Sequence, residues 1–253
     1  SWEKLLLVLL CMVFARSAAM AFNRSLDRGI DEQNERTANR EIPAGVISPK
    51  AALTFVIINC LLFIACTWFI NPLCFYLSPI ALAVILGYSY TKRFTFLCHF
   101  ILGLGLSLAP IGAYLAVGGG FDTIPLLYSA TVLLWVAGFD IIYAMQDEAF
   151  DRSLQLHSVP VALGKKGALQ LSTWLHVLCA GCIILASYLL DNEYPKLRGI
   201  HWVASVIFIA LLTYQHLIVK PNDLSKVNLA FFTTNGVASV IFGVLLVIDL
   251  LIS

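Results

Sequence analysis

Charge is what this sequence has least of. Lys, Arg, Asp and Glu make up 12% of its 253 residues, about half the roughly 25% of a soluble domain. Hydrophobic residues make up 60%, and mean hydropathy is +0.87. A water-soluble globule of this length cannot hide so much apolar surface and a disordered chain does not carry it, so both are excluded. A net charge of +1 provides no field to gather a polyanion, which excludes nucleic acid as a partner. A disulfide framework is absent too. The seven cysteines (Cys11, Cys60, Cys66, Cys74, Cys98, Cys179 and Cys182) are odd in number and scattered in or beside apolar runs. Cys179 and Cys182 form a C-x-x-C, but inside a hydrophobic stretch this reads as two small packing residues rather than a redox or zinc pair. No soluble domain, internal repeat or low-complexity linker interrupts the chain, so residues 1–253 read as one domain.

What is abundant is long hydrophobic runs. A bilayer core takes about 20 apolar residues per helix, and eight stretches qualify: 2–22, 51–70, 73–91, 96–117, 123–144, 168–190, 200–219 and 227–250. Backbone in lipid must satisfy its own hydrogen bonds, so runs of this length predict helices. The fold expected is an all-α, multi-span integral membrane bundle around a central cavity that opens to the cytoplasmic side. The first run is too long for a signal peptide and lacks a basic start and a small-residue cleavage site. The chain opens on Ser1 rather than Met, which suggests a cut N-terminus.

Loops then alternate between two sides. Those at 23–50, 91–95, 145–167 and 220–226 carry twelve Lys and Arg; those at 71–72, 118–122 and 191–199 carry two, Lys196 and Arg198. The positive-inside rule puts the first set in the cytoplasm, and a bacterial inner membrane is the expected location. Nine of the fifteen acids lie on that same side. Topology needs only the basic residues, so the acids call for a separate explanation.

The acids fall into two patterns. Asn23, Asp27 and Asp31 are spaced i, i+4 and i+8, one slowly drifting helical stripe at the end of the first span. Asp147 and Asp151 repeat the i, i+4 spacing at the end of the fifth span, and Asp140 lies on that face about two turns deeper. Alone, either cluster reads as a solvated helix end. Two of them on the same side, each extending a membrane helix, fit Mg²⁺, a hard ion held by one or two carboxylates plus phosphates and waters. Two stripes can hold two ions with a diphosphate bridging them. Arg24, Arg28, Arg36, Arg40, Lys92 and Arg93 stand near enough in sequence to neutralise phosphate oxygens. Asp140 and Arg16 sit within apolar spans, where ionisable groups are costly and functional. Arg16 precedes Asn23 by seven residues, on the same face and about 10 Å deeper; its expected partner is either Asp140 or a substrate carboxylate.

Together these motifs resemble the UbiA superfamily of intramembrane aromatic prenyltransferases, and most of all its 4-hydroxybenzoate polyprenyltransferase branch. The first motif is Asn23, Asp27 and Asp31, followed by an R-T-x-x-R-P-like stretch, Arg36-Thr37-Ala38-Asn39-Arg40 with Pro43 and Gly45. A Y-x-x-x-K matches Tyr88 and Lys92. The second motif runs Asp140-Ile141-Ile142-Tyr143-Ala144-Met145-Gln146-Asp147 and on to Asp151, and a trailing S-x-P-x-x-x-G matches Ser158, Pro160 and Gly164. There are two departures. Arg24 stands where an Asp often follows the Asn, and the first motif follows the first span rather than the second, as if the first of the family's nine helices were missing.

The resemblance implies a Mg²⁺-dependent transfer of a polyprenyl group from an allylic diphosphate to an aromatic acid, in respiratory quinone biosynthesis. It implies one ion on Asn23, Asp27 and Asp31 and a second on Asp147 and Asp151. Lys92, Arg28 and Arg36 or Arg40 would take the diphosphate, and Tyr88 and Tyr143 the departing oxygen or the allylic cation. Phe22 and Phe139 are further aromatic candidates for that cation. Arg16 would hold the acceptor carboxylate, with Asp140 helping to position Arg16 or the acceptor. A naphthoate acceptor of a menaquinone route would use the same handle. The partners expected are thus a polyprenyl diphosphate, an aromatic acid and membrane lipid, acting on a monomer. A transporter with buried charges is the non-enzyme alternative, but it leaves the matched acidic motifs unexplained and no inverted repeat is evident. A CDP-alcohol phosphotransferase would carry its aspartates in one continuous run, which is missing. The four remaining membrane histidines, His99, His176, His201 and His216, read as packing or interfacial residues.

Overall fold

The computed structural model describes residues 2–253, and among them the chain is helical with a single isolated β-bridge, Lys220 to Asp223. Eight helical segments are long and apolar enough to cross a membrane. They begin with α1 (Trp2–Leu26), followed by the single turn α2 (Arg28–Asp31) and an irregular stretch. Then come α3 (Pro49–Ile70), α4 (Pro72–Thr91), α5 (Cys98–Ala116) and α6 (Thr123–Ala144). A 3₁₀ turn, Met145–Asp147, joins α6 to the short α7 (Glu148–Ser153). The chain ends with α8 (Val159–Glu193), α9 (Ile200–Ile218) and α10 (Asn235–Leu251), the last preceded by a π-helical stretch, Leu229–Thr234.

The turns follow local chemistry. Ser48 caps α3, its side chain accepting the Ala51 N–H, and Pro49 occupies the first turn, where its missing N–H costs nothing. Asn71 ends α3 and caps α4 at once: its side chain accepts from Cys74 N–H and donates to the Leu115 carbonyl, each at 2.8 Å. One residue therefore makes the whole turn and ties it to α5. Ser158 and Pro160 start α8 in the same way. The expected span at 168–190 is longer in the structure, because α8 starts at Val159 and carries on across a break at Gly164, whose φ of +68° is costly for any other residue.

α6 is the central helix, packed against α5 and α8. At Gly103 of α5 an added Cβ would lie 2.6 Å from the Leu133 carbonyl oxygen of α6, so the glycine is what lets these two backbones approach. Ala137, Ile141 and Ile142 of α6, with Met145 of the turn that follows, meet Val159, Ala168 and Leu175 of α8 in the fully packed core. The seven cysteines are free; Cys179 is buried with its thiol toward the Thr131 carbonyl, a packing position as expected.

Four of the histidines make polar side-chain contacts, His99 with Asp140 and the other three elsewhere in the bundle. At the end of the bundle away from the acidic motifs, buried His201 places Nδ1 2.6 Å from Asp249, which also accepts the backbone N–H groups of Arg198 and His201. His176 and His216 share a 2.8 Å hydrogen bond between α8 and α9. Sequence reasoning placed these rings correctly inside the bundle but could not see partners 40 or more residues away.

Candidate active site

The ends of α1, α4 and α6, with α2, α7 and the segment around Arg36–Arg40, enclose a cavity of about 240 Å³. Asn23, Asp27, Asp31, Arg36, Arg40, Tyr88, Lys92, Asp140, Tyr143, Asp147 and Asp151 all line it. The two acidic motifs, separated by more than a hundred residues of chain, thus face one space. In neither is the helix unbroken. α1 stops at Leu26 and Asp27 leaves helical geometry (φ −88°, ψ 6°), yet the Asp31 N–H still donates to the Asp27 carbonyl at 2.8 Å, so the stripe keeps its register. The 3₁₀ turn before α7 does the same for Asp147 and Asp151.

Each motif carboxylate has a basic partner. Asp27 Oδ1 accepts from Arg93 Nη2 at 2.8 Å, and its Oδ2 accepts from Asn23 Nδ2 at 2.9 Å. Asp31 takes both oxygens to Arg40 Nη1 at 2.9 Å. Asp147 accepts from Arg36 Nη2 at 2.5 Å and Nε at 3.2 Å, while Arg36 Nη1 donates to Tyr143 Oη at 2.8 Å. Lys92 Nζ stands 2.7 Å from Asp151 Oδ1. Asp151 is 1% exposed, and neither of its oxygens has an aligned hydrogen bond. Burial pushes the Asp27 carboxyl above its ordinary value, and Arg93 pulls against that shift without cancelling it.

The structure departs from the sequence reading at several positions. Arg16 does not reach the cavity: its side chain is exposed, with no ion pair among the described residues. It shares an azimuth with Asn23, but the cavity lies at the helix end. Farther along, α1 packs against α3 and α4 and barely touches α5, which leaves that face uncovered. Asp140, the other partner weighed for Arg16, pairs instead with His99 of α5, Nδ1 to Oδ2 at 2.6 Å. Arg28 is also exposed, because the bend at Asp27 turns the next residue outward. Arg24 pairs with Glu41 outside the cavity. Phe22 packs on Tyr90, and Phe139 belongs to a seam of rings that leads from Tyr143 through Phe231 to Trp135. Arg93, one of the cations the sequence offered for phosphate, lines the cavity, and so does His99, for which the sequence held no signal.

These features define a multi-pass membrane protein with a cavity, at one end of its helices, in which each of four motif carboxylates is paired with a cation. The chain belongs to the UbiA prenyltransferase family, whose sequence profile matches residues 1–237, and is a prenyltransferase. It is 32% identical over 248 residues to a 4-hydroxybenzoate octaprenyltransferase of Aliivibrio fischeri (strain MJ11), with 95% of this chain and 82% of that protein covered. A 4-hydroxybenzoate octaprenyltransferase of Aeromonas hydrophila is 30% identical, with 94% and 81% covered. Among solved structures, the apo UbiA homolog from Aeropyrum pernix K1 superposes with a TM-score of 0.88 at 31% identity, covering 99% of this chain and 90% of that one. A UbiA homolog from Archaeoglobus fulgidus, solved bound to GPP and Mg²⁺, shares the fold with a TM-score of 0.72 at 19% identity, covering 98% and 88%.

Proposed function

We propose that this protein transfers a polyprenyl group from an allylic polyprenyl diphosphate to an aromatic acid of the 4-hydroxybenzoate kind, the step that gives a respiratory quinone ring its lipid tail. The observation that carries this reading is the pairing of four motif carboxylates with four cations around one cavity. A simple anion site would not need the acids, and a simple cation site would not need the bases. The names of the relatives at about 30% identity support the acceptor class.

The residues present fit divalent metal. The donors are hard oxygens, and Asp151 has buried oxygens without an aligned donor. Among the described residues no three acids stand together as a ready-made cage, which suits an ion that takes much of its coordination from substrate phosphate and water. Asn23, Asp27 and Asp31 would hold one Mg²⁺ and Asp147 and Asp151 a second. Bound there, Mg²⁺ neutralises charge on the leaving diphosphate.

The chain's own groups do the rest. Arg36, Arg40, Lys92 and Arg93 are held over the cavity by the carboxylates and exchange them for diphosphate oxygens, which leaves those carboxylates free for metal. Tyr143, fixed by Arg36 and stacked on Phe231 at 4.1 Å, presents an aromatic face and a hydroxyl at the cavity wall. Tyr88 faces the same space. The surrounding helices keep bulk water from the allylic cation until the ring carbon beside the phenol oxygen attacks. Basic loops flank this end of the bundle, which supports a cytoplasmic orientation for the cavity mouth.

The test is product analysis. Purified protein in detergent or vesicles is given Mg²⁺, polyprenyl diphosphates of several lengths and a panel of aromatic acids that includes 4-hydroxybenzoate and a hydroxynaphthoate. Mass spectrometry should find a C-prenylated hydroxybenzoate. Diphosphate left intact with every acceptor would overturn the reading.

A further inference from the structure

Five carboxylates line the cavity, and one is unlike the others. Asp27, Asp31, Asp147 and Asp151 each face Arg or Lys, a permanent cation. Asp140 faces His99. It also lies seven residues before Asp147, about 10 Å farther along α6 by helical rise, away from the groups that suit diphosphate. Its side chain is 22% exposed to the cavity, whereas His99 is 3% exposed, wedged at the start of α5 against the start of α8.

The state of that histidine can be read from its second nitrogen. Nε2 lies 3.3 Å from the backbone N–H of Val159, the first residue of α8, whose N–H has no intrahelical partner. A backbone N–H can only donate, so Nε2 carries the lone pair. The proton of the neutral ring is then on Nδ1 and points at Asp140 Oδ2 at 2.6 Å. A second proton on the ring would break the bond to Val159. His99 is thus built as a fixed single donor. It engages one oxygen of Asp140 and leaves Oδ1 without a hydrogen bond among the described residues.

We propose that Asp140 receives the proton released by the aromatic acceptor and that His99 is the positioning residue that aims it; this rests on the prenyl-transfer reading above. The allylic C–O bond breaks with its electron pair on the diphosphate. A ring carbon of the acceptor bonds to the allylic carbon. The C–H bond at that ring carbon then breaks, its electrons restore aromaticity, and the proton passes to Asp140 Oδ1. The four salt-bridged acids are poor candidates for this step, because each is already engaged with Arg or Lys at the end of the cavity that suits diphosphate.

The experiment compares wild type with Asp140→Asn, His99→Leu, His99→Asn and the double variant Asp140→Asn/His99→Leu, using ordinary and ring-deuterated 4-hydroxybenzoate. A general base contributes about 10²–10⁴-fold. Asp140→Asn should therefore lower kcat by about a hundredfold or more, and His99→Leu by about tenfold, with KM for the prenyl diphosphate little changed. His99→Asn, whose amide nitrogen takes the place of Nδ1, should recover most of the loss. Two residues acting as one unit do not add, so the double variant should match Asp140→Asn alone. A primary deuterium isotope effect, absent or small in wild type, should emerge in Asp140→Asn and His99→Leu as proton loss becomes limiting. Thermal melting separates these effects from misfolding. Unchanged kcat in His99→Leu, additive losses in the double variant, or a rate loss without an isotope effect would each overturn the proposal. A wild-type protein that forms no prenylated product would overturn the reading beneath it.

Discussion

Arg36 grips Asp147 across 111 residues of chain, with Nη2 on one carboxylate oxygen and Nε on the other, and keeps a third N–H for Tyr143. This fork closes the cavity between the segment after the first motif and the second motif itself. A lysine keeps the charge but can neither fork nor reach both partners. Arg36→Lys should therefore raise KM for the prenyl diphosphate and lower kcat/KM by about tenfold or more, as read by steady-state kinetics in detergent.

The acids should be needed individually. Asp27→Asn and Asp147→Asn keep size and hydrogen bonding but remove the negative charge that metal requires. Each should lower turnover by at least about a hundredfold. Chelation of divalent ions should do the same to wild type, reversibly on adding Mg²⁺. Full activity in both variants would overturn the assignment of the two motifs.

Asp27 sets an expectation for pH. Burial holds its carboxyl above the usual aspartate value, and Arg93 limits the rise. Metal needs the ionised form, so the Mg²⁺ concentration for half-maximal activity should climb as pH falls, beginning above the ordinary aspartate range of about 3.9. In Arg93→Met the onset should move to higher pH. The stability sign is the opposite of a salt-bridged surface acid's. With the folded pKa above the unfolded one, ionised Asp27 costs stability above its folded pKa, and that cost disappears as pH falls through it. Activity and melting temperature measured over one pH series would show the two trends diverge.

Helix packing gives a prediction independent of chemistry. A side chain at Gly103 must push the Leu133 carbonyl from 2.6 Å, and backbone cannot yield as a flexible side chain would. Gly103→Val should destabilise the bundle by about 1–3 kcal/mol, read as a lower melting temperature in detergent. The same change at Gly87, which has open space around its Cβ position, is the control.

Much of this molecule was legible in its sequence because few physical rules govern a chain in lipid. Apolar runs located the eight spans, and Asp27, Asp31, Asp147 and Asp151, picked out by their i, i+4 spacing, line one cavity although the helices break within both motifs. What failed was inference about direction. Arg16 has the azimuth of Asn23 but not its depth. Arg28 was lost to a one-residue bend. The partner of Asp140 is a histidine 41 positions away, on a different helix, and nothing in the spacing of either residue announces the other. The extra turns of α8 before the predicted span depend on a glycine conformation that hydropathy does not register.

The ion pairs also bear on the order of biosynthesis. Asp31 and Arg40 lie nine residues apart and can neutralise one another as soon as the first hairpin leaves the ribosome. Asp147 pairs with no local cation, since Arg152 is taken by Glu148: Arg36 must wait, through the insertion of four more helices, for its carboxylate to arrive. The chamber is therefore completed only after α6 is in the bilayer. A nascent chain arrested before that point would carry an open, positively charged Arg36 facing the lipid headgroups.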